Sequence, residues 1–278
     1  MSEVLVQIGP LPVYTFGLTL ALGFLLAALV AIREGRRRGI PAERMGEFLA
    51  VGIVVGLVGA RAGFVLLNRQ YYRTFPWEIL LLQDGGLTFY GAVPALLLLA
   101  WVWQRERGAF YRLLDALAPG VALGSAVALV GSDLFGRRTG LPWSVTSPAG
   151  VQVHPLQVYW LVALYLLFVF LWRRRRRIRC DGEQFLFWLV GDGLIRFGAG
   201  FLREGERFWR LGYDQWGALL AVGLGLLWLR GRLQGDDLPW EGDVRYATRG
   251  KPQLLEVFWW GLGLLMLVGG FYLRLGAL

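Results

Sequence analysis

The segment GDGLIRFGAGFLREGERFWR (191–210) holds the densest group of potentially reactive side chains in the chain. Asp192 precedes Arg196 by four residues, a spacing at which a helix brings the two side chains into contact. Arg203 and Glu204 follow further along, at a spacing that predicts the same side of the helix as Arg196. Two arginines on one face can bind a phosphate group through paired hydrogen bonds. A purely structural ion pair between Asp192 and Arg196 is the alternative.

Another arginine, Arg61, lies late in the glycine-rich run GIVVGLVGARAGFVLLN. Gly52, Gly56 and Gly59 share one helical face, and small residues there allow a neighbouring helix to approach closely. An arginine beside that face can turn inward toward a cavity. In the alternative interpretation, its long side chain extends to the nearby end of the helix.

The glycine pair Gly85–Gly86 stands just before another apolar run, which opens with Tyr90 and Gly91. Glycine adopts backbone conformations that other residues avoid, so this pair predicts a break or a tight approach. An ordinary loop followed by an aromatic residue is the alternative.

The segment HPLQVYW (154–160) contains His154, the only histidine in the chain. Pro155 suits the first turn of a helix, and Gln157 and Tyr159 add polar groups to the start of an apolar run. A single histidine at this place is more often structural than catalytic. His154 is nevertheless kept as a candidate because it is the one imidazole available for proton transfer.

These residues are embedded in long apolar runs, of which residues 12–32 (LPVYTFGLTLALGFLLAALVA) are the first. Inside a bilayer the backbone must satisfy its own hydrogen bonds, so runs of this length form transmembrane helices. The predicted fold is all-α, a polytopic transmembrane helical bundle of about seven core spans plus a C-terminal eighth. The predicted spans are 12–32, 47–67, 88–104, 112–135, 155–172, 183–201, 212–230 and 254–275.

The composition fits a membrane protein, since 56% of the residues are hydrophobic and 13 are tryptophan. The net charge of +9 does not indicate nucleic-acid binding, because the basic residues are spread over short loops between the apolar runs. Most of the 29 basic residues lie in loops that the positive-inside rule assigns to the cytoplasm. The N-terminus is therefore predicted to be outside. These loops are 33–46, 104–112, 173–181 and 230–251.

The run of core spans predicts one membrane domain over residues 1–230. The polar segment 231–253 is interpreted as a cytoplasmic linker to an additional transmembrane helix within 254–278. The single cysteine, Cys180, excludes a disulfide framework and a thiolate metal cluster, so no metal site is predicted.

Taken in order, several segments resemble the prolipoprotein diacylglyceryl transferase family, and together they cover about residues 8–230. No single segment is decisive, but their order is specific. The matching segments are YTFGL (14–18), GLVGARAGFVL (56–66), GGLTFYGA (85–92), LDALAPG (114–120), DLFGR (133–137), HPLQVY (154–159), IRFGAGFLRE (195–204) and GYDQWGAL (212–219).

The resemblance implies an enzyme of the bacterial plasma (inner) membrane that acts at the outer leaflet. Such enzymes transfer a diacylglyceryl group from phosphatidylglycerol to the lipobox cysteine of a preprolipoprotein, without a metal or cofactor. The implied partners are phosphatidylglycerol or another anionic phospholipid, the preprolipoprotein signal peptide and the bilayer, with no nucleic acid. Phosphate binding would fall to Arg196 and Arg203, and headgroup orientation to Arg61, Arg137 and Gln157.

The remaining implied site residues are the catalytic candidates Tyr90 and His154, with Arg196 also counted as catalytic. Tyr90 stands where the family has a histidine, so it would serve as a base or a hydrogen-bond donor, and His154 as a reserve base. Further substrate-binding positions are Gly85, Gly86, Gly91, Tyr159, Arg203 and Glu204.

The chain departs from the family at its central signature, G-R-x-G-N-F-x-N-x-E-x-x-G-R, which here reads GSAVALVGSDLFGR (124–137). Ser125 replaces the arginine, Ala128 and Gly131 replace the two asparagines, and Asp133 replaces the glutamate. The retained arginines favour an enzyme that transfers the diacylglyceryl group or carries out a related phospholipid-headgroup transfer. The lost polar residues favour the alternative, a non-catalytic phospholipid-binding membrane protein on the same scaffold.

Overall fold

The computed structural model describes residues 4–8, 11–81, 85–104, 107–204, 207–209 and 211–234, together with residues 263, 266, 268 and 269. Long apolar helices dominate these residues, which confirms the predicted all-α membrane bundle. The helices are α1 (Thr15–Arg37), α2 (Ala42–Leu67), α3 (Arg69–Thr74), α4 (Phe89–Trp103), α5 (Arg107–Leu129), α6 (Leu156–Arg174), α7 (Glu183–Leu202) and α8 (Tyr213–Gln234), with a short 3₁₀ helix at Pro76–Leu80.

Three small antiparallel hairpins, which the sequence did not predict, join or precede these helices. The first lies before α1, the second between α5 and α6, and the third between α7 and α8. They pair β1 (Val4–Ile8) with β2 (Leu11–Tyr14), β3 (Val145–Thr146) with β4 (Gln152–Val153), and β5 (Arg207–Phe208) with β6 (Leu211–Gly212).

Within the described residues, five helices are long and apolar enough to cross a membrane: α1, α2, α5 from Gly108, α6 and α7. Helix α4 and the apolar part of α8, Gln215–Trp228, are shorter apolar helices at the two other predicted core spans. Most of the predicted eighth span, 254–275, lies outside the described residues, as does the predicted linker after residue 234. The proposed division at residues 230 and 253 therefore stays a prediction.

The largest difference from the predicted spans is at the end of α5, which stops at Leu129 instead of continuing to residue 135. Turn-type hydrogen bonds of the backbone N–H groups of Val130, Gly131 and Ser132 end the helix there. The residues that follow are used in a loop instead of a helix, and this loop carries part of the predicted signature.

The chain forms two compact units, one made of residues 1–31 and 115–278 and the other of residues 32–114. In the first unit, α7 packs against both α6 and α8. The start of α7 is fixed by Asp115, a fully buried carboxylate that accepts hydrogen bonds of 2.9 Å from the backbone N–H groups of Gly182 and Phe185. A carboxylate at this place satisfies helix N–H groups that otherwise lack partners.

In the unit of residues 32–114, α2 packs against α4 along the predicted glycine face. A Cβ on Gly91 would lie 2.1 Å from the carbonyl oxygen of Gly59, and one on Gly63 would lie 2.6 Å from the Cα of Gly91. Only glycine fits at such a close helix crossing. The prediction of a close neighbour for this face is confirmed, and Gly91 has a packing role.

Candidate active site

The predicted charge pair of α7 is present in the structure. Arg196 Nε lies 2.5 Å from Asp192 Oδ2, and the guanidinium lies 5.1 Å from the centroid of the Trp160 ring on α6. Asp192 is buried and Arg196 is partly buried, so each charge lowers the cost of keeping the other inside the protein. Trp160 was not identified from the sequence, although it directly follows the predicted site residue Tyr159.

A second group of polar side chains surrounds the start of α6. His154 Nδ1 lies 3.3 Å from the hydroxyl oxygen of Tyr159, and this oxygen accepts a 2.8 Å hydrogen bond from Trp143 Nε1. Because a phenol can accept one hydrogen bond and donate another, Tyr159 can connect the indole to the imidazole. The structure thus brings together two predicted residues, His154 and Tyr159, and adds Trp143 from the loop that precedes β3.

The loop after α5 is tied to the histidine segment and to the end of α7 by backbone hydrogen bonds. Gly136 N–H donates to the His154 carbonyl at 2.9 Å, and Arg137 N–H donates to the Leu202 carbonyl at 2.8 Å. A Cβ on Gly136 would lie 2.9 Å from the Leu202 oxygen and 3.0 Å from the His154 Cβ, so this position requires glycine. These two hydrogen bonds fix the backbone at Arg137, whose side chain is exposed.

Gln157 has a more structural environment than the sequence suggested. Its side chain is fully buried, and its Nε2 donates to the carbonyl of Ser132 at 3.3 Å. Its backbone N–H donates to the Leu134 carbonyl. Within the part of the chain that the structure describes, the Oε1 atom has no hydrogen-bond partner. Gln157 therefore anchors the loop after α5, and its predicted contact with a headgroup stays a prediction.

Glu204 does not continue the Arg196 face of the helix, and the sequence prediction was wrong for this residue, whereas Arg203 is the C-cap residue of α7. Helix α7 ends at Leu202, and Arg203 has an extended backbone with φ −84° and ψ 141°. Both side chains are exposed. The helical spacing applies up to Arg203, because the extended ψ of this residue turns the chain away from the helix only after it. The substrate-binding role of both residues rests on the resemblance alone.

In the unit of residues 32–114, Arg61 is buried, with only 8% of its surface exposed, and its guanidinium holds a loop. All five N–H groups of this side chain have backbone carbonyl acceptors at 2.5 to 3.1 Å. The acceptors are the carbonyl oxygens of Glu78, Ile79, Leu81, Gly85 and Gly86. Arg61 turns inward as predicted, but its donors bind the loop that precedes α4, and its predicted role in orienting a headgroup stays a prediction.

Replacing Arg61 with glutamine is expected to loosen this loop and lower the free energy of unfolding by about 3 kcal/mol or more, because several buried carbonyls lose a charged donor. Hydrogen exchange should become faster in peptides covering 78–88, and the unfolding temperature should fall. Arg69→Gln, at an exposed position in α3, serves as the control. Unchanged exchange in the loop would contradict this role of Arg61.

The glycine pair has the backbone conformation that the sequence predicted. Gly85 and Gly86 have φ values of +80° and +81°, a region that favours glycine. Thr88 follows at the N-cap of α4, where its backbone N–H donates to the Ala60 carbonyl and its Oγ1 accepts from the N–H of Tyr90. Tyr90 is therefore in the first turn of α4, with 44% of its surface exposed.

Two of the altered signature positions, Ala128 and Gly131, pack against α1. A Cβ on Gly131 would lie 2.2 Å from Thr19 Oγ1, and this hydroxyl donates a 3.2 Å hydrogen bond to the carbonyl of Ala128. Thr19 thus fills the space beside the two positions where the family signature has asparagines. Among the described residues, no group of three or more acidic, cysteine or histidine side chains could hold a metal ion.

This arrangement of apolar helices, with an arginine paired inside one of them, defines a multi-pass membrane protein with polar groups collected at helix ends. The sequence profile of the family described as prolipoprotein diacylglyceryl transferase matches residues 3–230. The chain belongs to this family, which confirms the resemblance.

Individual relatives named phosphatidylglycerol–prolipoprotein diacylglyceryl transferase are similar over most of the chain. The protein of Cupriavidus pinatubonensis is 32% identical over 245 residues, covering 81% of this chain and 89% of the relative. That of Aromatoleum aromaticum is 32% identical, covering 80% and 92%. That of Paracidovorax citrulli is 31% identical, covering 84% and 97%. Nothing in these comparisons favours the non-catalytic alternative.

Proposed function

We propose that this protein transfers the diacylglyceryl group of phosphatidylglycerol to the lipobox cysteine of a preprolipoprotein. The observation that carries the proposal is the membership of residues 3–230 in the transferase family. The Arg196–Asp192 pair inside α7 supports it, since a cation at membrane depth suits an anionic lipid headgroup.

In the proposed reaction, the cysteine thiol gives its proton to a base, and the resulting thiolate attacks the glyceryl carbon that carries the phosphate ester. A carbon–sulfur bond forms as the carbon–oxygen bond breaks, and glycerol phosphate leaves with the bonding electron pair. The thiolate is the reactive form of cysteine, so a positioned base is required. Negative charge increases on the leaving phosphate, and arginine stabilises such a charge strongly.

The proposed roles can be assigned for each unit separately. In the unit that contains α7, Arg196 binds the phosphate, Arg137 orients the headgroup from its exposed loop position, and His154 with Tyr159 provides a reserve route for the proton. Arg203 and Glu204 lie at the exposed end of α7 and would contact substrate there. In the unit of residues 32–114, Tyr90 is the proposed base at the first turn of α4, next to the loop that Arg61 holds.

Incubating the purified protein with phosphatidylglycerol and a lipobox peptide tests the proposed activity. Mass spectrometry should detect the peptide with a diacylglyceryl thioether, together with free glycerol phosphate. A peptide in which serine replaces the lipobox cysteine is the control and should remain unmodified. A folded protein that binds phosphatidylglycerol but forms no thioether would be a non-catalytic phospholipid-binding protein.

We further propose that the protein lies in the bacterial plasma membrane with its N-terminus outside. With Cys180 replaced by serine, single cysteines at Arg36 and Arg175 should be protected from a membrane-impermeant thiol reagent in intact cells. A cysteine at Ala149, in the hairpin loop between α5 and α6, should be labelled. Labelling of Arg36→Cys in intact cells would contradict this orientation.

A further inference from the structure

A basic cavity lies in the unit of residues 32–114, among residues to which no role in the transfer has been assigned. Its volume is about 460 Å³, within the range of ligand-binding pockets. Its wall includes Arg38, Arg44, Trp103, Gln104 and Arg112. We call it the basic cavity.

The basic cavity is at one end of its helices. It is lined by the turn between α1 and α2, by the last residues of α4, and by the first turns of α5. Tyr90, the proposed base, is at the opposite end of α4. In the proposed orientation, the basic cavity opens at the cytoplasmic side of the membrane.

The charge of the cavity wall is positive among the residues that the structure describes. Three arginines line the cavity, and none of the described lining residues is acidic. Arg38 is buried, with only 4% of its surface exposed, whereas Arg44 is exposed at the rim. The nearby carboxylate of Glu34 forms an ion pair of 2.9 Å with Arg37, which does not line the cavity. Several arginines around a concave site of this kind suit the oxygen atoms of a phosphate group.

The apolar side of the cavity indicates a lipid as the source of this phosphate. Trp103 is held by an edge-to-face contact with the buried Phe48, at a centroid distance of 6.0 Å, and Val102 beside it is half exposed. A tryptophan and arginines at the end of an apolar helix are typical of the headgroup region of a bilayer. Basic pockets between helices on the cytoplasmic side are suited to anionic lipid headgroups.

We propose that the basic cavity binds the phosphate of an anionic phospholipid from the cytoplasmic leaflet, with its acyl chains beside Val102 and Trp103. This site is separate from the proposed transfer site, and it does not depend on the protein being an active transferase. As a consequence, a second, non-reacting lipid would connect the turn between α1 and α2 to the last residues of α4 and the first turns of α5.

The test uses the full chain in detergent and follows hydrogen exchange in peptides covering 38–44 and 104–112. The probes are dihexanoyl-phosphatidylglycerol, dihexanoyl-phosphatidylcholine and inorganic phosphate, each titrated separately. The anionic lipid should protect both peptides, while the zwitterionic lipid and inorganic phosphate should protect neither at the same concentrations. Protection by inorganic phosphate alone would assign the cavity to a soluble phosphate and overturn the lipid assignment.

Two substitutions locate the binding. Arg44→Gln should weaken the protection by dihexanoyl-phosphatidylglycerol about ten-fold, and adding Arg112→Gln should weaken it further, because each change removes a charge-assisted hydrogen bond to phosphate. Arg36→Gln removes the same charge from an exposed position that does not line the cavity, so it should change the affinity less than about two-fold in screening salt. Because Arg44 is exposed, its replacement tests the site even if the double variant folds poorly. Equal affinities of wild type and folded Arg44→Gln would refute the proposal.

Discussion

Replacing Arg196 with glutamine is expected to lower the rate of thioether formation by about 100- to 1000-fold, the scale of removing one preorganised electrostatic contact to a developing anion. The guanidinium lies inside α7, where Asp192 and the ring of Trp160 fix its position. A cation held this way needs little reorganisation when negative charge develops on the phosphate. The rate of peptide modification at saturating phosphatidylglycerol gives the measurement.

The Arg196→Gln variant also leaves the buried carboxylate of Asp192 without its partner, so a loss of activity needs a structural control. The double variant Asp192→Asn with Arg196→Gln removes this buried charge. If activity stays low in the folded double variant, the missing guanidinium is the cause. Recovery of activity in the double variant would show that Arg196 serves only to neutralise Asp192.

Arg174→Gln provides a matched control from the same pair of helices. Arg174 lies 2.5 Å from the carboxylate of Glu183, and its guanidinium lies 4.3 Å from the centroid of the Phe187 ring. It therefore resembles Arg196 in both its ion pair and its aromatic contact. This variant should lose stability but keep the rate of thioether formation once folded.

The features that could be predicted from the sequence are those determined by local spacing. Apolar runs of transmembrane length become helices because, in hydrocarbon, the backbone N–H and C=O groups can form hydrogen bonds only with each other. Four-residue spacing placed Asp192 beside Arg196, and the glycines of α2 predicted the close helix that α4 provides. In each case the relevant contact depends on helix geometry and on side-chain size, both of which are visible in the sequence.

The features that could not be predicted depend on where a helix ends or on backbone atoms distant in sequence. Helix α7 stops at Leu202 and the chain turns away after Arg203, so the spacing rule fails for Glu204. The partners of Arg61 are backbone carbonyls, which every residue carries, so no residue type identifies them. The junction of Gly136 with His154 and Leu202 likewise arises only once the loop after α5 has folded back.

The altered signature has a physical counterpart in the structure. Because Gly131 has no side chain, the start of α1 can approach the end of α5 closely. The Thr19 hydroxyl lies where a side chain at position 131 would otherwise be. An asparagine at this position would displace Thr19, so the family residue cannot be restored by Gly131→Asn without a change in α1. Ser125, in contrast, is partly exposed in α5.

Replacing Tyr90 with phenylalanine is expected to lower the rate of thioether formation by at least about 100-fold, the lower range for a positioned general base. Tyr90 is half exposed in the first turn of α4, where a substrate could reach its hydroxyl. A phenol is an effective base near neutral pH only beside positive charge. The proposed role therefore requires positive charge near Tyr90; in this unit the Arg61 guanidinium binds the carbonyls of Gly85 and Gly86, just before this turn.

Two further variants distinguish a chemical role of Tyr90 from a packing role. Tyr90→His introduces the residue that the family has at this position, and it should keep or raise the rate, since imidazole is the stronger base at neutral pH. Tyr111→Phe removes the same hydroxyl from the opposite end of this unit and should leave the rate unchanged. If Tyr90→Phe is fully active, Tyr90 is a packing residue and His154 becomes the base to test. An inactive wild type that gains activity through Tyr90→His with Ser125→Arg would instead mean that the fold kept its lipid site and lost its chemistry.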